Sequence, residues 1–129
     1  MRTLAVVLAL LSYQESSACT FSPESLILDD PIGALEWADA VFSATVVSQV
    51  AIERKATSRA SIEVHEVWKG DVSSFVSLDN HLGSTCSKAL FENGRYVFFA
   101  SRRGKRLHVT GTFVPASWAR GVVEALRGG

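Results

Sequence analysis

Apolar residues recur at every second position in several short stretches, and that period constrains the fold of this chain more than any other feature does. From Ala40 to about Ser48, Phe42, Ala44 and Val46 alternate with Ser43 and Thr45, the pattern of a half-buried strand. Residues 61–68 form a second such run, with Ile62 and Val64 on one face. Val67 breaks the alternation there, which marks a β-bulge. Residues 75–78 read as a third strand, residues 94–101 (GRYVFFAS) as the most apolar and most buried one, and residues 106–113 as the last. Between them, residues 51–60 read as a polar hairpin connection, 79–88 as a long loop and 102–105 as a turn.

Two segments carry helical signals instead. Asp30-Pro31 pairs an N-cap acid with proline at the first helical position, and Ile32, Leu35, Trp37 and Ala38 then fall on one face. After Pro115, the residues Trp118, Val122, Val123 and Leu126 fit one face of an amphipathic helix that stops at Gly128. The expected fold is therefore mainly β: a small five-stranded barrel, closed or nearly closed because closure removes exposed sheet edges, with a short N-terminal helix and a C-terminal helix.

Residues 1–18 have the form of a secretory signal: Arg2, an unbroken apolar run from Leu4 to Leu11, and small residues at Ser16 and Ala18. That run is too short to span a bilayer, and no later segment reaches the roughly 20 apolar residues a membrane helix needs. Residues 19–129 read as one domain, expected to be exported, to the extracellular space or a periplasm, as a monomer. Arg2 and Glu15 leave with the signal, one from each of the 13 basic and 13 acidic groups, so the mature chain stays formally neutral. Bulk nucleic-acid binding has no electrostatic support in that balance.

Cleavage after Ala18 makes Cys19 the first residue of the mature chain. Export makes a disulfide with Cys86, the only other cysteine, chemically reasonable; two free thiols are the alternative. A bridge closing so long a loop contributes roughly 4 kcal/mol in the loop-entropy account. Lipidation of Cys19 is a further alternative, although Ser16 stands where a lipoprotein signal normally has leucine.

Other motifs carry less. His65, His81 and His108 lie far apart, and neither cysteine has a partner at zinc-ligand spacing, so no intrinsic cofactor is expected. His65 and His108 read as surface or packed strand residues. No Gly-x-Ser-x-Gly turn is present, and an enzyme is not expected. Arg102, Arg103, Lys105 and Arg106 read first as a solvated hairpin tip and second as a contact for a polyanion such as a sulfated glycan or lipid headgroup.

The start Cys19-Thr20-Phe21-Ser22-Pro23 resembles the Cys-Thr-Cys-x-Pro of the netrin-like domains, specifically the inhibitory domain of the tissue inhibitors of metalloproteinases. Ser84-Thr85-Cys86 is similar to that family's Ser-x-Cys loop, Val67-Trp68-Lys69-Gly70 to the end of its second strand, and residues 107–110 with Phe113, Val114 and Trp118 to its last strand and the segment after that strand. Phe21 replaces the family's second cysteine, Thr112 stands near that cysteine's partner, Glu36 stands at a third cysteine position, and residues 24–30 look longer than their counterpart.

The resemblance implies an OB-fold-like barrel, a Cys19–Cys86 disulfide, and inhibition of a zinc metalloprotease through an inhibitory ridge of Cys19, Thr20, Phe21, Ser22, Ser84, Thr85 and Cys86. The α-amino nitrogen and carbonyl oxygen of Cys19 would bind the target's catalytic zinc, so the metal is supplied by the partner. A netrin-like module that binds glycans or another exported protein without inhibiting is the alternative.

Overall fold

The computed structural model describes residues 22–128. The expected signal segment and Cys19, Thr20 and Phe21 of the expected ridge lie outside these residues. Two short helices come first, α1 (Pro23–Asp29) and α2 (Pro31–Trp37), followed by β1 (Ala40–Ala51), β2 (Thr57–Lys69), β3 (Phe75–His81), β4 (Arg95–Arg103), β5 (Arg106–Val109) and β6 (Phe113–Pro115). A single 3-10 turn (Ala116–Trp118) leads into the closing helix α3 (Arg120–Gly128).

Five strands close into a mixed barrel in the order β1-β2-β3-β5-β4 and back to β1. All pairings are antiparallel except β3 with β5. Strand β4 closes it. One edge pairs with β1 along residues 95–100; the other is shared, its first half taking β6 and its last three residues taking β5. Among the described residues no helix is long and apolar enough to cross a membrane.

Alternation on β1 and β4 divides the interior into two cores. Inside the barrel lie Phe42, Ala44 and Val46 from β1, Tyr96, Phe98 and Ala100 from β4, and Ile62, Leu78, Leu107, Val109 and Phe113 from the other strands. Phe42 stacks on Phe98 at 5.5 Å between ring centroids, and Tyr96 meets Phe113 edge-on at 5.4 Å, both favoured geometries. The opposite face of the same strands presents Val41, Val97 and Phe99 to the helices. There Ile27 of α1, Ala34 of α2, and Val122 and Leu126 of α3 cover them. Strand β4 is thus buried on both sides, which explains why its sequence is the most apolar. Each aromatic or aliphatic side chain so buried contributes roughly 1.5–3 kcal/mol.

The fold class expected from the sequence is the one observed, with local corrections. Helix α1 was not expected, although Ser22-Pro23 repeats the cap and proline logic recognised at Asp30-Pro31: the Ser22 hydroxyl accepts from Ser25 N at 3.0 Å, as the Asp30 carboxylate does from Gly33 N at 3.0 Å. On α2 the buried residue is Ala34, joined by the C-cap Ala38, whereas Ile32 and Trp37 stay 41% and 50% exposed. Half of residues 51–60 belongs to strands, and the β1–β2 turn narrows to residues 52–56 with Arg54 at φ 64°. Strand β3 runs on to His81, shortening the loop that carries Cys86.

The bulge expected at Val67 is two irregularities on either side of it: the register with β1 skips Trp68 and His65, and a third slip falls at Val47. The slip at Trp68 accompanies a half-buried ring packed against the helix-side core. Trp118 belongs to the 3-10 turn and is 61% exposed, and Ala119 is buried in the core ahead of α3. Finally, residues 106–113 are not one strand. Gly111 adopts φ +69° and the chain turns there, so Leu107 and Val109 stay in β5 beside β3 while Phe113 and Val114 form β6 against β4.

Candidate functional site

The N-terminal chain entry, the Cys86 loop and the Gly111 turn meet at one corner of the barrel. Gly111 is buried, and a Cβ built on it would lie 2.1 Å from the carbonyl oxygen of Cys86 and 3.6 Å from Cγ of Pro23. Only a residue without a side chain permits both that approach and the left-handed φ. Pro23 and Cys86 are neighbours as a result, although they come from distant parts of the sequence.

The Cys86 loop is organised by Ser84. Its hydroxyl accepts from Cys86 N at 3.1 Å, and its carbonyl accepts from Ser87 N at 3.1 Å and from the Ser87 hydroxyl. Ser84 and Thr85 remain exposed while Cys86 is half-buried. This is a compact, self-bonded turn that presents its outer residues to solvent. Ser22 is exposed as well and caps α1, its hydroxyl 2.9 Å from that of Ser25.

Lys88 latches the corner. Its ammonium donates to a Glu24 carboxylate oxygen on α1 and to the carbonyl of Phe113 at 3.2 Å, and it sits 4.8 Å from the centre of the Phe113 ring. One cation therefore joins the cysteine loop, the first helix and β6. Beneath it, fully buried Asn80 donates from Nδ2 to the Lys88 carbonyl at 2.8 Å, which holds the loop's exit against β3. Lys88, Glu24 and Asn80 were not singled out from the sequence, and no local motif marks them; the contact between Glu24 and Lys88 depends on tertiary pairing alone.

Of the expected ridge, Ser22 adjoins Pro23, which lies beside Gly111 as the Cys86 carbonyl does, and Ser84, Thr85 and Cys86 form one turn. The Val67-Trp68-Lys69-Gly70 motif lies elsewhere and acts structurally. Lys69 Nζ donates to the carbonyls of Leu35 and Glu36 at 2.8 and 3.1 Å, capping the C-terminus of α2, where a cation also suits the helix dipole. Gly70 sits at φ +88°, where a Cβ would come within 2.8 Å of the Asp39 carbonyl oxygen. His65 is a surface residue whose Nε2 lies 2.7 Å from the Thr45 hydroxyl. Among the described residues, no group of three or more His, Cys, Asp or Glu side chains is placed to hold a metal ion.

The basic cluster separates on folding. Arg102 turns away: its Nη2 donates to the Asp71 carbonyl at 3.0 Å and its backbone N–H to Asp39 Oδ2 at 2.7 Å. Lys105 stays exposed at the turn. Arg103 and Arg106 line a cleft of about 280 Å3, with Arg59 from β2, Asp79 from β3 and His108 from β5. Asp79 accepts from Arg59 Nε at 2.8 Å and from Arg106 Nε and Nη2, each at 3.0 Å. Burial alone would raise the Asp79 pKa, but the hydrogen bonds from Arg106 and Arg59 outweigh it and bring it down to about 2. Burial, followed by the positive charge of Arg103, lowers the pKa of His108.

No protein-family model and no curated protein matches this chain.

Proposed function

We propose that this chain is a secreted, netrin-like inhibitor of zinc metalloproteases that acts through the mature N-terminal residue Cys19. The reading is carried by one observation: Pro23 and the Cys86 carbonyl both lie against the same side of Gly111, so the chain that follows the expected N-terminal probe meets the Cys86 loop at one corner. The segment between Cys19 and Pro23, at about 3.3–3.6 Å per residue, has the reach for Cys19 to join Cys86 by a disulfide. The turn around Ser84 and the latch through Lys88 make that corner stiff, which lowers the ordering cost of binding.

A catalytic zinc in a protease keeps one coordination position for the attacking water. The free amine and carbonyl oxygen of Cys19 are both donors, and occupying that position removes the nucleophile. An α-amino group has a pKa of about 7.7–8.0 and must lose its proton to bind metal; inhibition should therefore weaken as pH falls below neutrality. Thr20 would enter the specificity pocket, with Ser84 and Thr85 beside it.

The test begins with intact mass and N-terminal sequencing of exported protein, which establish whether the chain starts at an unmodified Cys19 bridged to Cys86. A zinc protease is then assayed with this protein and with a form carrying one additional N-terminal alanine. The expected result is inhibition by the first and a loss of at least 100-fold with the second. Equal inhibition by both, or an acylated Cys19, overturns the reading.

The second reading is a non-inhibitory netrin-like module. Helix α1 favours it, because α1 begins at Pro23, directly behind the expected probe, and leaves Leu26 and Leu28 exposed at 49% and 39%. Absence of inhibition by a correctly processed, bridged chain would select this reading.

A further inference from the structure

We propose that the cleft between the β1–β2 turn and the β4–β5 hairpin is a binding site for a compact oxyanion, the phosphate or sulfate group of a small ester. Four cations line it, Lys55, Arg59, Arg103 and Arg106, against the single carboxylate of Asp79. Among the described residues, Arg59 and Arg106 pair with Asp79, whereas neither Lys55 nor Arg103 has an ion-pair partner. A purely structural cluster needs only the Arg59–Asp79–Arg106 triad. The additional positive charge gathered in one concavity raises the energy of the empty site, and an anion relieves it.

The donors are already oriented. Arg59 and Arg106 each bond Asp79 through Nε and Nη2, so the other edge of each planar guanidinium points away from that carboxylate. Bidentate recognition of a tetrahedral oxyanion uses such a preset fork. His108 adds an independent sign: its Nε2 is buried without a hydrogen-bond partner among the described residues, and the ring lines the same cleft. A buried polar atom without a partner costs stability, and a small shift of the ring toward a bound oxyanion would let a ligand oxygen satisfy it. The cleft's volume, about 280 Å3, lies just below the range of drug-sized ligand sites, roughly 300–1,000 Å3; it suits one charged group and its immediate neighbour.

This site stands apart from the Pro23–Cys86–Gly111 corner and does not depend on protease inhibition. The test is an NMR titration of the mature protein at constant ionic strength with inorganic phosphate, inorganic sulfate, glucose 6-phosphate and glucose 6-sulfate, with acetate as the carboxylate control. Saturable shifts are expected at the amides of Arg59, His81, Arg103 and Arg106 and at the His108 ring. Arg103→Gln should weaken binding at least 10-fold, and Lys105→Ala, at the exposed turn, should leave it within twofold. Whichever sugar ester binds more tightly identifies the source of the oxyanion. Shifts that do not saturate with any of the four anions, or that respond equally to Arg103→Gln and Lys105→Ala, or that acetate reproduces, overturn the proposal. Unchanged binding by Arg103→Gln would do the same.

Discussion

Two clusters of polar residues flank the barrel, and they are built on opposite terms. At the Cys86 corner every charge has a structural partner: Lys88 holds Glu24 and the Phe113 carbonyl, and Asn80 holds the Lys88 carbonyl. In the β2–β3–β5 cleft the cations outnumber the carboxylate and two lack an ion-pair partner among the described residues. The first cluster fixes a shape and leaves function to the exposed residues it positions. The second holds its charges in position and keeps donors available. Matched charges read as architecture, and excess charge in a concavity reads as capacity to bind.

The sharpest way to break this contrast is at Gly111. Gly111→Ala places a methyl group on the Cys86 carbonyl and forces a non-glycine residue into φ +69°. Strain and overpacking together should cost about 3 kcal/mol or more, seen as a lower urea midpoint. The variant should displace the Cys86 loop while leaving anion titration of the cleft intact. An alanine variant as stable as the parent would show that the corner is loose and remove the argument for a rigid ridge.

The cleft responds to acid. The Asp79 pKa of about 2 in the folded protein lies below its ordinary value of 3.8. Its contribution is therefore complete above about pH 4, falls as pH drops toward 2, and is gone below that. By linkage it amounts to about 2 kcal/mol. In denaturation measured at several pH values, the parent should lead Asp79→Asn by that margin at neutral pH, and the gap should close between about pH 4 and pH 2. A gap independent of pH would mean that Asp79 acts by shape and not by charge.

Lys88→Met gives the smallest effect of the three. It keeps the aliphatic stem over Phe113 and removes only the bonds to Glu24 and the Phe113 carbonyl. The side chain is 34% exposed, so the Glu24 pairing is screened and the loss should be about 1–2 kcal/mol. Hydrogen exchange should quicken in α1 and β6 and stay unchanged in β5. Uniform destabilisation without local exchange would show that Lys88 is not the latch.

The sequence was most readable where neighbours along the chain decide the outcome. Alternation at Phe42, Ala44 and Val46 assigned β1 and its inward face, and Asp30-Pro31 located the start of α2, because strand pleat and helix caps act over two to four residues. It was less readable where the same signals compete. Gly111 sits inside a run that reads as strand from Arg106 to Phe113, and nothing nearby states that the Cys86 carbonyl needs its space. The cleft was only half visible. Arg103 and Arg106 stood out as part of a basic run, but alternate residues of a hairpin point to opposite faces, so Arg102 left the group, while Arg59, Asp79 and His108 joined it through strand pairing.

By itself, then, the chain's local chemistry determined a mainly β barrel with flanking helices, since period and capping are properties of short segments. Which residues share a site was decided only by closure of the sheet. The parallel pairing of β3 with β5 brings Asp79 beside His108, and the turn at Gly111 brings Pro23 beside Cys86. Such contacts form between residues far apart in sequence, where register and close packing, not local preference, select the neighbour.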